Sequence, residues 1–126
     1  MSAAKEMVEL KRQLEILGWE VEVPQDVEQY VDNQAAVESK WTKIEGDLIR
    51  NYYKKIQTAD AVLVANYQKG DIPNYIGGNS LMELAFGHVL DKTVYLMNPI
   101  PEGLTYTDEI AAMQPTILNG DLTKIR

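Results

Sequence analysis

Over residues 3–17 the apolar side chains Met7, Leu10, Leu14 and Leu17 recur with Lys5, Glu9, Arg12 and Gln13 between them. Spacing at i, i+3, i+7 and i+10 puts the four on one stripe and predicts an amphipathic helix. Gly18 stands where a left-handed C-cap belongs. Trp19-Glu20-Val21-Glu22-Val23 then alternates large apolar with acidic residues before Pro24, the pattern of a short strand at a sheet edge. Residues 25–40 are polar and acidic without a clean period; they read as a loop or a loosely held helical turn, with Asp26 a candidate N-cap.

Trp41, Ile44, Leu48, Tyr52 and Ile56 repeat at intervals of three and four and predict a second helix ending near Thr58. Ala61-Val62-Leu63-Val64-Ala65 is an unbroken apolar run of strand length, which predicts burial on both faces, as in the middle of a parallel sheet. Residues 66–79 are rich in Gly, Asn, Asp and Pro, a long loop that a compact domain rarely keeps without a use. A third helix is expected over residues 80–90, a strand over 93–97, a Pro-rich loop over 98–103, a short helix around 107–113 and a last strand over 116–118. Such alternation of helix and strand is the pattern of a doubly wound parallel α/β sheet with helices on both sides. Ligands of such sheets bind outside the carboxyl ends of the strands, here residues 66–80 and 98–103.

Composition narrows the chemistry. The chain has 126 residues, enough for one domain and one core. Twelve Lys and Arg against 19 Asp and Glu leave a net charge of −7 and a pI near 4.6, a field that repels polymeric nucleic acid and anionic membranes while leaving room for phosphate in a local pocket. There is no cysteine and one histidine, His88, so neither a disulfide framework nor a thiolate or histidine-rich metal site is available. No run approaches eighteen apolar residues, and the N-terminal sequence lacks the apolar core of a signal peptide, so a cytoplasmic protein is expected.

The segment Asn74-Tyr75-Ile76-Gly77-Gly78-Asn79-Ser80-Leu81-Met82-Glu83-Leu84-Ala85 joins a glycine pair to a helix start. Unpaired N–H groups and the positive end of the helix dipole favour an anion there, either a substrate phosphate or the Glu83 carboxylate. Ser80 followed three residues later by Glu83 also matches a capping box, in which the two side chains satisfy each other's backbone N–H groups and no catalysis is implied.

Three stretches carry a resemblance: Ala59-Asp60-Ala61-Val62-Leu63-Val64, the Gly77-Gly78-Asn79-Ser80-Leu81-Met82-Glu83-Leu84-Ala85-Phe86-Gly87 helix start, and Leu90-Asp91-Lys92-Thr93-Val94-Tyr95-Leu96. Together they look like the nucleoside 2-deoxyribosyltransferase superfamily, especially its short bacterial and archaeal members. The likeness extends to Asn98-Pro99-Ile100-Pro101-Glu102 and to Gly120-Asp121-Leu122, and covers nearly the whole chain as a single domain, residues 1–126. It implies a flavodoxin-like or Rossmann-like sheet and a homo-oligomer acting on a small nucleoside or nucleotide with no metal or organic cofactor. By the same resemblance Glu83 is the nucleophile that attacks the anomeric carbon of a 2-deoxynucleoside or its 5′-monophosphate. The base leaves, a deoxyribosyl-glutamate ester forms, and a second base or water releases the sugar with retention. Gly77 and Gly78 amides would bind phosphate or position the sugar, with Asn79 and Ser80 beside them.

Two departures from the family stand out. Typical members carry an aspartate six residues before the nucleophile and another acid on the helix before the central strand. Here the first position is Gly77, and the helix offers Asn51, Tyr52 and Tyr53. The proton donor for the leaving base is therefore open among Asp71, Asp108, Glu109 and a neighbouring subunit, and a non-catalytic nucleotide-binding or sensor module is the alternative. The family also opens with a buried strand, whereas this chain opens on the helix, so the usual first strand is expected to be lacking. Tyr67 and Tyr75 flank the long loop and suit either base stacking or loop packing. Asn66 and Asn98, each just beyond a strand, suit either ligand contact or loop capping. His88, about 140° round the helix from Glu83, reads as a packed or surface residue.

Overall fold

The computed structural model describes residues 4–22 and 47–125. The predicted loop 25–40 with Asp26, the helical positions Trp41 and Ile44, and Val23 lie outside the described residues. The chain divides into two compact units, Met1–Lys55 and Ile56–Arg126.

In the first unit, α1 (Ala4–Ile16) buries Leu10 and Leu14 on the predicted stripe. Gly18 takes φ +100 and ends the helix. Its N–H donates to the Glu15 carbonyl at 3.0 Å and that of Trp19 to the Leu14 carbonyl at 3.0 Å, the paired bonds of a Schellman motif. Leu17, counted in the stripe, falls past the helix end and is exposed. The strand expected over residues 19–23 is not formed over 19–22, where the backbone joins no ladder among the described residues. Alternation sorts side chains between two faces, but a strand also needs a neighbour for its N–H and C=O groups.

The helix α2 (Leu48–Thr58) precedes β1 (Ala61–Val64), α3 (Gly78–Val89), β2 (Thr93–Leu96), α4 (Thr107–Ala112), β3 (Thr116–Ile117) and a 3-10 turn, Leu122–Lys124. On α2 Tyr52 is buried and Tyr53 half-buried, as adjacent helical positions must diverge. The chain is mixed α/β: its three described strands form a parallel sheet in the order β1-β2-β3, with Val62 opposite Val94, Val64 opposite Leu96 and Leu96 opposite Ile117. Parallel neighbours need crossovers, and α3 and α4 lie in them.

One core cluster joins Val62 and Val64 of β1, Val94 and Leu96 of β2, Ile56 of α2, Ile76, Leu84 of α3 and Ile110 of α4. The unbroken run in β1 does not bring burial on both faces. Val62 and Val64 are buried while Ala61 and Leu63 are half-buried. β2 shows that behaviour instead: Val94, Tyr95 and Leu96, with Met97 just past the strand, are buried in succession. It has a strand on each flank, whereas β1 has one among the described residues. Gly87 lets α3 sit close on the sheet, since a Cβ there would stand 2.9 Å from both Val62 Cγ2 and Val94 Cγ1.

Candidate functional site

The loops leaving β1 and β2 meet at the carboxyl edge of the sheet through two asparagines. Asn66 is 0% exposed and spends its whole side chain on backbone. Its Nδ2 donates to the carbonyls of Asn98 at 2.8 Å and Pro99 at 3.1 Å, and more distantly to that of Asn74 at 3.5 Å. Its Oδ1 accepts from the Asn98 N–H at 2.8 Å. Asn98 reciprocates, its Nδ2 donating to the Asn66 carbonyl at 3.0 Å. A buried amide so satisfied is a loop organiser, the second of the two roles open to it from sequence. Asn98 is half-buried beside it.

The long loop closes on itself. The Tyr75 N–H donates to the Tyr67 carbonyl at 3.1 Å, and Lys69 and Ile72 exchange a pair of backbone bonds at 2.9 and 3.0 Å around Gly70, whose φ is +60. Tyr67 and Tyr75 are thus brought together at the neck, both half-buried. Tyr75 has company on its ring: the Lys69 ammonium lies 5.3 Å from its centroid, and a Cβ on Gly77 would stand 3.3 Å from its Cε2. Such contacts give Tyr75 a bracing role.

α3 begins two residues earlier than its sequence pattern predicts, with Gly77 as N-cap in extended backbone at φ −85, ψ −177. The capping box is therefore not formed as read: Ser80 is the third helical residue, and Glu83 lies beyond the first turn. The cause is local. Ile76, fully buried, and Leu81, packed against the same cluster, flank the N-cap at the spacing of a hydrophobic staple and fix the entry point before Ser80. The Leu81 N–H makes the first i to i−4 bond, to the Gly77 carbonyl at 2.9 Å. Gly77 has no side chain with which to cap the helix, and the first turn holds no acidic residue. The amides of Gly78, Asn79 and Ser80 thus mark the positive end of a twelve-residue helix. Asn79 Oδ1 is buried and has no hydrogen-bond partner among the described residues. Asn79 and Glu83, four apart, share one face of the helix, and Glu83 is half-buried.

Tyr106 and Thr107 complete the arrangement, and the sequence pattern singled out neither. The Tyr106 hydroxyl donates to the Ile76 carbonyl and has the Tyr75 side chain as its polar neighbour. Burial first, and the neighbouring Tyr75 side chain next, push the Tyr106 hydroxyl pKa above its ordinary value. Thr107 Oγ1 accepts from the Leu104 N–H and donates to the Pro101 carbonyl, both at 3.0 Å, bracing the loop that carries Tyr106. No sequence signal points to Tyr106, because its partner carbonyl lies thirty residues earlier in the chain. His88 is exposed near the far end of α3, and Asp71, Asp108 and Glu109 are exposed. Among the described residues no three His, Cys, Asp or Glu side chains gather as metal ligands, and no helix is long and apolar enough to cross a membrane. No protein-family model, curated protein or solved structure matches this chain.

Proposed function

We propose that this chain is a nucleoside 2-deoxyribosyltransferase-like protein that cleaves or transfers at the N-glycosidic bond of 2-deoxynucleosides or their 5′-monophosphates, with Glu83 as nucleophile. The observation that carries the reading is the start of α3 at Gly78, which puts Glu83 beyond the capping-box position and sets it, half-buried, one turn behind a helix N-terminus whose N-cap is glycine, at the carboxyl edge of a parallel sheet. The finer fold reading, a doubly wound sheet of flavodoxin-like or Rossmann-like order, draws support from the sequential parallel order β1-β2-β3. It draws more from the gathering of Ile56, Leu84 and Ile110 of three successive helices into one cluster with the sheet.

In the first displacement a Glu83 carboxylate oxygen bonds to the anomeric carbon as the bond from that carbon to the base nitrogen breaks. The electron pair leaves with the base, which takes up a proton. In the second, a nitrogen of another base or a water oxygen attacks the same carbon and returns the carboxylate. A 2-deoxy sugar lacks the hydroxyl that withdraws charge from the oxocarbenium-like transition state, so one carboxylate can suffice. The proton for the leaving base would come from Asp71, Asp108, Glu109 or a second copy of the chain in a homo-oligomer. A non-catalytic nucleotide-binding module is the second reading, favoured by Gly77 where an acid serves the family and by the solvent exposure of Asp71, Asp108 and Glu109.

Chromatography of free base released from a panel of 2-deoxynucleosides and their 5′-monophosphates, with and without a second base, tests the proposal. Release that falls by roughly a thousandfold or more in Glu83→Gln identifies the nucleophile. Dependence on added base separates transfer from hydrolysis. Binding of the same compounds without turnover in the folded wild-type protein overturns catalysis in favour of the binding module.

A further inference from the structure

The N-cap of α3 is a glycine with no side chain to offer, yet the approach to the helix is held from a distance. Tyr106 donates its hydroxyl proton to the Ile76 carbonyl, one residue before the N-cap. The Tyr75 side chain is the polar neighbour of that hydroxyl. The Tyr75 ring lies along Gly77 and carries the Lys69 ammonium near its centroid. Tyr75, Ile76 and Gly77, the three residues that lead into the helix, are thus each touched by one chain of contacts that begins at Tyr106. Tyr106 is itself anchored: it is the N-cap residue of α4, it packs against the core cluster, and Thr107 ties its loop to Pro101 and Leu104.

We propose that Tyr106 is a positioning residue, acting through the Ile76 carbonyl and Tyr75 to set where the first turn of α3, and so Glu83, stands. Its consequence for turnover rests on the function proposed above, whereas its control of the turn does not. Loss of the hydroxyl alone cuts the chain of contacts while the ring keeps its packing, which separates positioning from core filling.

The experiment compares wild type, Tyr106→Phe and Tyr75→Phe by NMR hydrogen exchange and by base release. Tyr106→Phe is expected to speed exchange of the amides over residues 75–81 by about tenfold, with the Met97 amide, bonded to Val64 across β1 and β2, changing by less than about twofold. Tyr75→Phe is expected to loosen the same amides, to a smaller degree. Base release is expected to lose about tenfold in kcat with KM shifted by less than about threefold. Unchanged exchange over residues 75–81, or equal acceleration at Met97, overturns the positioning role. Local loosening with kcat unchanged overturns its bearing on Glu83. A wild-type protein that releases no base overturns the catalytic reading alone, since exchange decides the control of the turn without substrate.

Discussion

Asn66 serves as an adaptor between two loops, and its chemistry sets what can replace it. At 0% exposure it gives one acceptor to the Asn98 N–H and two donors to the carbonyls of Asn98 and Pro99. Asn66→Ala strips a buried N–H and carbonyls of their partners, a loss of roughly 3 kcal/mol. Asn66→Asp keeps the shape and the acceptor but points carboxylate oxygens at two carbonyl oxygens in a buried site, and is expected to cost more. Urea denaturation at pH 7 should rank wild type above Asn66→Ala and that above Asn66→Asp. The gap between the two variants should narrow in acid, as the introduced carboxyl takes up a proton and regains a donor. That an asparagine just past a strand end would organise a loop was legible from its type and place. Its partners were not, because residues 98 and 99 are more than thirty positions away and nothing local encodes the pairing. Tyr106 was illegible for the same reason, although its effect falls on the segment the sequence marked most clearly.

At the level of elements, α3 shows why a motif and its position are separate questions. Ser80-x-x-Glu83 satisfies the capping-box pattern, yet the helix starts where Ile76 and Leu81 can both reach the core. Burial of two large apolar side chains outweighs one pair of capping bonds. Residues 19–22 are the converse case, strand-patterned but without a ladder among the described residues. The elements that were legible, α1, the end of α2, α4 and β1 through β3, are those whose apolar spacing and local turn chemistry agree. Two glycines of α3 give a paired prediction. Gly87→Ala gains about 1 kcal/mol of helix propensity. It places a methyl 2.9 Å from Val62 Cγ2 and Val94 Cγ1, β-branched side chains with little rotamer freedom to yield. Overpacking of that kind costs about 1–3 kcal/mol, so the net change is destabilising. Gly78→Ala meets nothing within 4 Å and needs no positive φ, so it should stabilise by roughly 0.5 kcal/mol through the unfolded chain. Thermal unfolding should move the two midpoints in opposite directions; a rise for Gly87→Ala would refute the close approach of α3 to the sheet.

For the whole molecule, pH provides the sharpest readout of how the loop contacts support the fold. The Tyr106 hydroxyl has its pKa raised by burial first and by the neighbouring Tyr75 side chain next, so the folded state holds this proton more tightly than the unfolded chain does. A pKa higher in the folded state contributes stability that is fully present below the unfolded value, about 10 for tyrosine, and is lost as pH climbs through the folded value. The physical event is plain: a phenolate has no proton to give the Ile76 carbonyl. Alkali also discharges lysines and deepens a net charge that is already −7 at pH 7, which weakens the protein by self-repulsion whatever Tyr106 does. The comparison must therefore be a difference. Wild type and Tyr106→Phe share every other titrating group, so the gap between their unfolding free energies isolates the hydroxyl. That gap should be flat from pH 7 to about 9 and should shrink as pH passes about 10, because the variant has no proton there to lose. Urea denaturation series at stepped pH measure it. A gap that stays constant to pH 11 would show that the proton of Tyr106 adds nothing to stability, and the tie between the loop behind β2 and the start of α3 would then rest on ring packing alone.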